Sequence, residues 1–336
     1  MNPNGNAWKM DGRLITNKLL ILSVVLAVSL AGCSINIPLM AKTGPLEEYV
    51  IEGKGAAKIL LMDITGLISG REKERLLSGQ ASPSLVSQIR EALQKAQRDT
   101  AISGVIIRIN SPGGTITASD IIHHEILRFK NQRKIPVYSC IMSIGASGGY
   151  YVATATDHIA AHPTSITGSL AVMMMTMNIE GLMGKIGVRE LTIKSGEKKD
   201  ILSPFRPATA EEKQIVQTII DQFHRRFVDR IVARSGNTLN RTEVESLADG
   251  RIYSSQQALD AKLIDRVGYL DDVVADMKKK IGVTDARIVR YSYPGNYKGT
   301  IYSSSTAESS RSAEILSAGS GFDWFGETQF LYLWRL

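Results

Sequence analysis

Met142-Ser143-Ile144-Gly145-Ala146-Ser147-Gly148-Gly149-Tyr150 sets one serine among glycines, where an apolar strand gives way to a small-residue helix. The strand reads Ile135-Pro136-Val137-Tyr138-Ser139-Cys140, and the helix begins Tyr150-Tyr151-Val152-Ala153-Thr154-Ala155. A serine at a helix start has free backbone N–H groups beside it. Such donors can hold the negative oxygen that forms during acyl transfer. The same segment also reads as a glycine-rich turn whose serine only caps the helix.

Outward from that turn, strands and helices alternate. Lys58 to Ile64 is an apolar run fit for a strand, and residues 65 to 81 read as a loop or flap. Ser82-Pro83 predicts a helix start, with Leu85, Ile89, Leu93 and Ala96 on its apolar face. Val105 to Ile109 is a strand that stops at Asn110-Ser111-Pro112-Gly113-Gly114-Thr115, and a helix follows from Ala118 to Phe129. His158 to His162 is a further strand, and Pro163 to Ser169 turns the chain into Leu170 to Met177. A short helix and a strand over Val188 to Ile193 come next. A long helix opens near Thr209, with Glu212 completing a capping box and Ile215, Ile219, Phe223 and Phe227 forming a stripe. Helices near 241–247, 254–261 and 270–280 complete the body. Alternation without a clean two-residue period marks a parallel sheet covered by helices. In such sheets, sites form at the carboxyl ends of the strands. Both the Gly113-Gly114 turn and the Ser147 turn lie there.

The ends of the chain carry different information. The apolar run Leu19 to Gly32 follows Lys18 and ends at Cys33. A basic flank, a short apolar stretch and small residues make a secretory signal, and fourteen residues are short for a span of about twenty. Leu30-Ala31-Gly32-Cys33 resembles a bacterial lipoprotein box, in which Cys33 would be lipidated; an uncleaved signal-anchor is the other reading. Either one places the body outside the cytoplasmic membrane, as periplasmic or outer-side mass. The expected division is 1–33 targeting segment, 34–56 tether, 57–290 enzyme domain, and 291–336 a Ser/Gly-rich tail with an aromatic arm. That arm could pack, contact membrane or contact a partner.

Composition narrows the classes. The chain has 336 residues, 43 % of them apolar, and a net charge of +7. Residues before Cys33 contribute +2, which leaves a mildly basic +5 suited to the neighbourhood of an anionic membrane. No basic cluster is interleaved with aromatics and no GxxxxGKS/T loop is present, which argues against nucleic-acid or nucleotide binding. Cys140 lies in an apolar strand and reads as a core thiol. No disulfide framework and no cofactor or metal pattern is expected.

A serine nucleophile needs a base. His123, His124, His158, His162 and His224 are not at obvious strand-end loops, and most read as surface or interface residues. Lysine is the better candidate, because burial and nearby hydroxyls can bring its amine toward neutrality. Lys199 lies in the loop before the Thr209 helix; beside it, Lys198 reads as solvated.

Six motifs in order resemble peptidase family S49, the signal peptide peptidase A type, whose fold is similar to that of the Clp protease and crotonase group. They are Ile109-Asn110-Ser111-Pro112-Gly113-Gly114, Gly145-Ala146-Ser147-Gly148-Gly149-Tyr150-Tyr151, Thr167-Gly168-Ser169, Ile193 to Asp200, Ser203-Pro204-Phe205-Arg206, and Ala248 to Tyr253. The resemblance covers roughly residues 57 to 275. It implies an α/β fold of ClpP/crotonase type and a serine endopeptidase with a Ser-Lys dyad. Ser147 would be the nucleophile, Lys199 the general base, and Ser169 the group that orients the lysine. Backbone N–H groups of Gly114 and Gly148 would form the oxyanion hole. Remnant signal peptides and other apolar peptides at the membrane would be the substrates. The chain has one copy of each motif, and in the family the two catalytic groups can come from neighbouring subunits. A homo-oligomer, an octamer with shared sites, is therefore expected. Leu170-Ala171 departs from the glycine usual after the third motif, and Met173-Met174-Met175-Thr176-Met177 is methionine-rich. A crotonase-like acyl-CoA enzyme, or a catalytically silent membrane scaffold, would use the same fold.

Overall fold

Eight residues of β2, Lys58–Thr65, show how the core divides: Leu60, Met62 and Ile64 enter one apolar cluster, and Ile59 and Leu61 enter another. Side chains alternate across a strand, so a strand buried on both faces is apolar at nearly every position; Asp63, an exception here, is paired with Arg108. The structure is a computed structural model that describes residues 44–74, 81–293, 300–303 and 330–334. Cys33 and the targeting segment lie outside the described residues, as does most of the Ser/Gly-rich tail.

In chain order the strands are β1 Glu47–Glu52, β2, β3 Lys73–Glu74, β4 Ala81–Ser82, β5 Ile102–Ser111, β6 Gly113–Thr115, β7 Val137–Ala146, β8 His158–Ala161, β9 Ile166–Gly168, β10 Met173–Met174, β11 Ile252–Ser254, β12 Arg266–Val267, β13 Arg287–Ser292 and β14 Phe330–Leu333. The helices are α1 Leu85–Arg98, α2 Ile116–Arg133, α3 Gly148–Ala153, α4 Glu180–Lys185, α5 Ala210–Val232, α6 Arg241–Leu247, α7 Ser255–Asp260 and α8 Leu270–Lys280. The main sheet runs β1-β13-β2-β5-β7-β8-β12, with β9 on β7 and β11 on β9. Its neighbours from β13 to β12 are all parallel. Mixed α/β architecture with a mainly parallel sheet is therefore the fold class, as the alternation predicted.

Helices α1 and α2 cover one face through Ile89, Leu93, Ile122, Ile126 and Phe129, and α8 covers the other through Leu270, Val273 and Met277. Arg133 ties the layers together, its guanidinium donating to the carbonyls of Ala96, Gln97, Asp99 and Ile102. Cys140 is a buried free thiol, and burial pushes its pKa up to about 12. It is a core residue, as the strand composition suggested.

Several boundaries differ from the sequence reading. The first helix is capped by Ser84, whose hydroxyl accepts from the Ser87 N–H, so Ser82-Pro83 stands ahead of the cap. Residues 47–52, placed in a tether, form an edge strand antiparallel to β13. Strand β7 continues to Ala146, which brings the sheet to the serine itself. Val188 to Ile193 is not a strand: it pairs with no described segment, and Leu191 and Ile193 are 89 % and 93 % exposed. Among the histidines His123 is buried, and burial pushes its pKa down to about 3, which keeps it neutral. No helix among the described residues is long and apolar enough to cross a membrane.

Candidate active site

Strands β5 and β7 run side by side in parallel, with Ser111 opposite Gly145. Their carboxyl ends therefore deliver two glycine turns to one spot. The first is Pro112-Gly113-Gly114, which leads into β6 and α2. The second is Ser147-Gly148-Gly149, which opens α3. Gly114 has to be glycine, because a Cβ there would lie 1.9 Å from the Ile68 carbonyl oxygen. The Ile68 segment clamps this turn: the Ile68 N–H donates to the Gly113 carbonyl, and the Thr115 N–H donates to the Ile68 carbonyl.

Ser147 sits at φ 52° and ψ −114°, outside the ordinary regions for an L-residue. Such a conformation costs on the order of 1–3 kcal/mol and persists only where the surroundings hold it. Here the Ser147 N–H donates to the Gly168 carbonyl at 2.7 Å, and the Ser147 carbonyl accepts from the Tyr151 N–H at 2.8 Å. The side chain makes no capping bond, so the capping reading of this serine fails. Its Oγ is buried and has no hydrogen-bond partner. A buried hydroxyl left unpaired costs roughly 1–3 kcal/mol. Strain and an orphaned hydroxyl at one residue mark Ser147 as a candidate functional residue.

Ser169 follows at φ 52°, held by its own N–H on the Arg251 carbonyl. Strand β9 pairs with β7 so that Ala146 lies opposite Gly168. The chain thus brings Ser147, Gly114, Gly148 and Ser169 to one place. It does not bring Lys199 there. Lys199 is exposed, in a turn closed by its N–H on the Gly196 carbonyl, and it is not a partner of the buried Ser147 Oγ. The turn itself is anchored. Arg206 donates to Asp200 on one side and to Glu212 on the other, and Glu212 also closes the Thr209 capping box. The guanidinium holds Glu212 down to about 2 and Asp200 lower still than the ordinary carboxylate range. Among the described residues no cluster of His, Cys, Asp and Glu could hold a metal ion.

The profile of peptidase family S49 matches residues 129–284. A protein of Enterococcus faecium named for signal peptide peptidase SppA is 35 % identical over 247 residues, spanning 73 % of this chain and 70 % of that one. The chain belongs to peptidase family S49. It is a serine peptidase of signal-peptide-peptidase type, and the acyl-CoA and silent-scaffold alternatives are set aside. Protease 4 of Haemophilus influenzae is 32 % identical over 232 residues, covering 68 % of this chain and 35 % of its own length, so the S49 chain spans about a third of that relative. Among solved structures, a ClpP1 variant of Listeria monocytogenes is similar at TM-score 0.40 and 17 % identity, over 63 % of this chain and 92 % of that one.

Residues missed in the sequence lie around Tyr151. Its hydroxyl donates to Asp120, which Arg226 also holds, and its ring stacks on Tyr332 of β14. The alternation in Phe330-Leu331-Tyr332-Leu333 was the available signal for that strand.

Proposed function

We propose that this S49 peptidase cleaves peptide bonds with a Ser-Lys dyad assembled from two copies of the chain. Ser147 Oγ attacks the substrate carbonyl, and the neutral amine of Lys199 from a neighbouring copy takes its proton. The oxyanion is held by the Gly114 and Gly148 N–H groups, a contribution worth about 10²–10³ in rate per donor. The same amine then protonates the leaving nitrogen, and water, deprotonated by Lys199, releases the acyl group. Ser169 hydrogen-bonds the ammonium between these steps.

The buried, unpartnered Ser147 Oγ carries this reading, set against an exposed Lys199. A second support is the surface around the lysine. Of the thirteen large apolar side chains exposed among the described residues, eight lie between Met177 and Ile215. So many large apolar side chains exposed within one stretch of chain suit a contact between copies. The unpaired Val188–Ile193 segment is suited to pair with a neighbour's edge. An octamer is the expected closed ring.

Remnant signal peptides and other apolar peptides are the proposed substrates. The catalytic body would lie on the outer side of the bacterial cytoplasmic membrane, with Cys33 lipidated or the preceding segment retained as an anchor. Mixing inactive S147A with inactive K199A tests the shared site. Recovered hydrolysis of apolar peptides supports it, and no recovery from co-assembled protein refutes it. Hydrolysis retained by K199A alone would refute the lysine as base.

A further inference from the structure

Strands β2 and β13 separate inside the main sheet. Their pairing ends at Val289 opposite Leu60. Beyond that point β2 runs on to Thr65 against β5, and β13 runs on to Ser292 against β1. A cavity of about 70 Å³ lies between them, lined by Leu61 and Asp63 of β2, Arg290 and Ser292 of β13, and Gln88 and Ile89 of α1. That is room for more than one water-sized group.

The charges at this cavity do not balance. Arg290 is 1 % exposed, Asp63 3 % and Arg108 of β5 7 %. Arg108 is fully engaged: its Nε and Nη2 lie on Asp63 Oδ1 at 2.6 and 2.5 Å, and its guanidinium also donates to the Ile301 and Ser303 carbonyls. Arg290 is not. Its Nη1 donates to the Ser303 carbonyl at 2.6 Å, while its Nε and Nη2 are buried without a hydrogen-bond partner. Asp63 Oδ2 stands 3.5 Å from that Nη2, an ion pair without hydrogen-bond geometry. Guanidinium groups keep their charge at any working pH. Among the described residues, the cluster therefore sets two cations against one carboxylate. Burial pushes the Arg290 pKa below its ordinary value, with Asp63 opposing the fall and Arg108 adding to it. Uncompensated charge in an interior is strongly unfavourable, and buried donors left unpaired point to an ion or a water.

The free donors also have a shape. Nε and Nη2 form one edge of a guanidinium, and two parallel N–H bonds from such an edge match the two oxygens of a carboxylate. One carboxylate would satisfy both donors and the missing charge together, whereas water would leave the charge as it is. We propose that the cavity between β2 and β13 is a binding site for a small carboxylate, formate or acetate in size, held in bidentate fashion by the Nε–Nη2 edge of Arg290. The occupant bridges the place where the two strands part. It also steadies β2, which leads through Gly66 to Ile68, the residue whose backbone clamps the Gly113–Gly114 turn.

The test melts the full-length chain in sodium formate, with sodium chloride holding the ionic strength constant. As formate replaces chloride up to about 100 mM, the wild-type melting temperature should rise with the logarithm of formate concentration, by about 2–4 °C in all. Arg290→Lys keeps the charge without the planar edge, and Arg290→Met lacks both. Each should lose most of the gain. A wild-type melting temperature indifferent to the exchange, or a gain kept in full by Arg290→Met, overturns the site. Should neither variant fold, wild-type crystals grown in formate decide. Planar density about 2.8 Å from Nε and Nη2 supports the proposal, and water or an empty cavity overturns it. Density without a melting gain in solution is binding at crystal concentration only, and overturns it as well.

Discussion

The serine side and the lysine side of this molecule are built differently. Around Ser147, the ends of β5 and β7 and helix α3 are buried, and every residue from Gly148 to Ala153 is out of solvent. Around Lys199, apolar residues face water: Leu182, Ile186, Leu191 and Ile193 are all exposed, and so is Ile215 in the first half of α5. The capping-box helix shows the change along its own length, since its deeply buried apolar residues, Phe227, Val228 and Ile231, lie only in the half that reaches the sheet. One region is finished within a single chain; the other is ordered in backbone but lacks a covering surface. The proposed catalytic pair, divided between these regions, would be complete only when a second copy supplies the lysine.

The largest effects should fall on the proposed pair. S147A and K199A should each lose at least about 10³-fold in kcat/KM; K199A should keep the wild-type melting temperature, and S147A should melt at or above it, because it removes an unpaired buried hydroxyl. Melting scans beside single-turnover rates check this, and a large fall in the melting temperature of S147A would mean the serine is structural. Next comes the proposed oxyanion turn. Gly114→Ala would force Cβ into the Ile68 carbonyl 1.9 Å away and displace the amide, with a loss of about 10²–10³ in kcat and a smaller change in KM. A KM effect alone would place Gly114 outside the reaction.

A smaller loss is expected from the open side. Leu191→Asp with Ile193→Asp should shift the mass in light scattering toward monomer and lower activity about tenfold. The monomer's own melting temperature should barely move, since these side chains bury little area in one chain. An unaltered assembly mass would remove the apolar arm from the interface. The smallest effect concerns the anchor of the lysine turn. Glu212 has a folded pKa of about 2, below its ordinary 4.5. Its contribution is full above about 4.5 and is lost as pH falls through about 2. Wild type should therefore converge on Glu212→Gln in melting temperature across that window, by about one or two degrees. Parallel curves would show that Arg206 does not hold this carboxylate in solution.

Much of the closed side was legible beforehand. Apolar strands 58–64 and 105–109, the two glycine turns and the Thr209–Glu212 capping box depend on neighbours close in sequence, and all appear as read. The Val188–Ile193 run was misread because β-branched and apolar residues favour a strand only when an edge is available to pair, and no described strand pairs with it. Tyr332 escaped notice for the converse reason. Its partners Gly114, Tyr151 and Phe227 are more than a hundred positions away, and four residues of alternation do not identify a distant slot.

The sequence by itself determined the parallel α/β layers and the serine set between glycines, because those follow from local periodicity and from turns that only small residues allow. Only the tertiary structure decided that Ser147 is strained and unpartnered, that Lys199 stands apart from it, and that the C-terminal strand lies across the glycine turns. Those outcomes depend on which distant edges and pockets come together, and no local pattern records that.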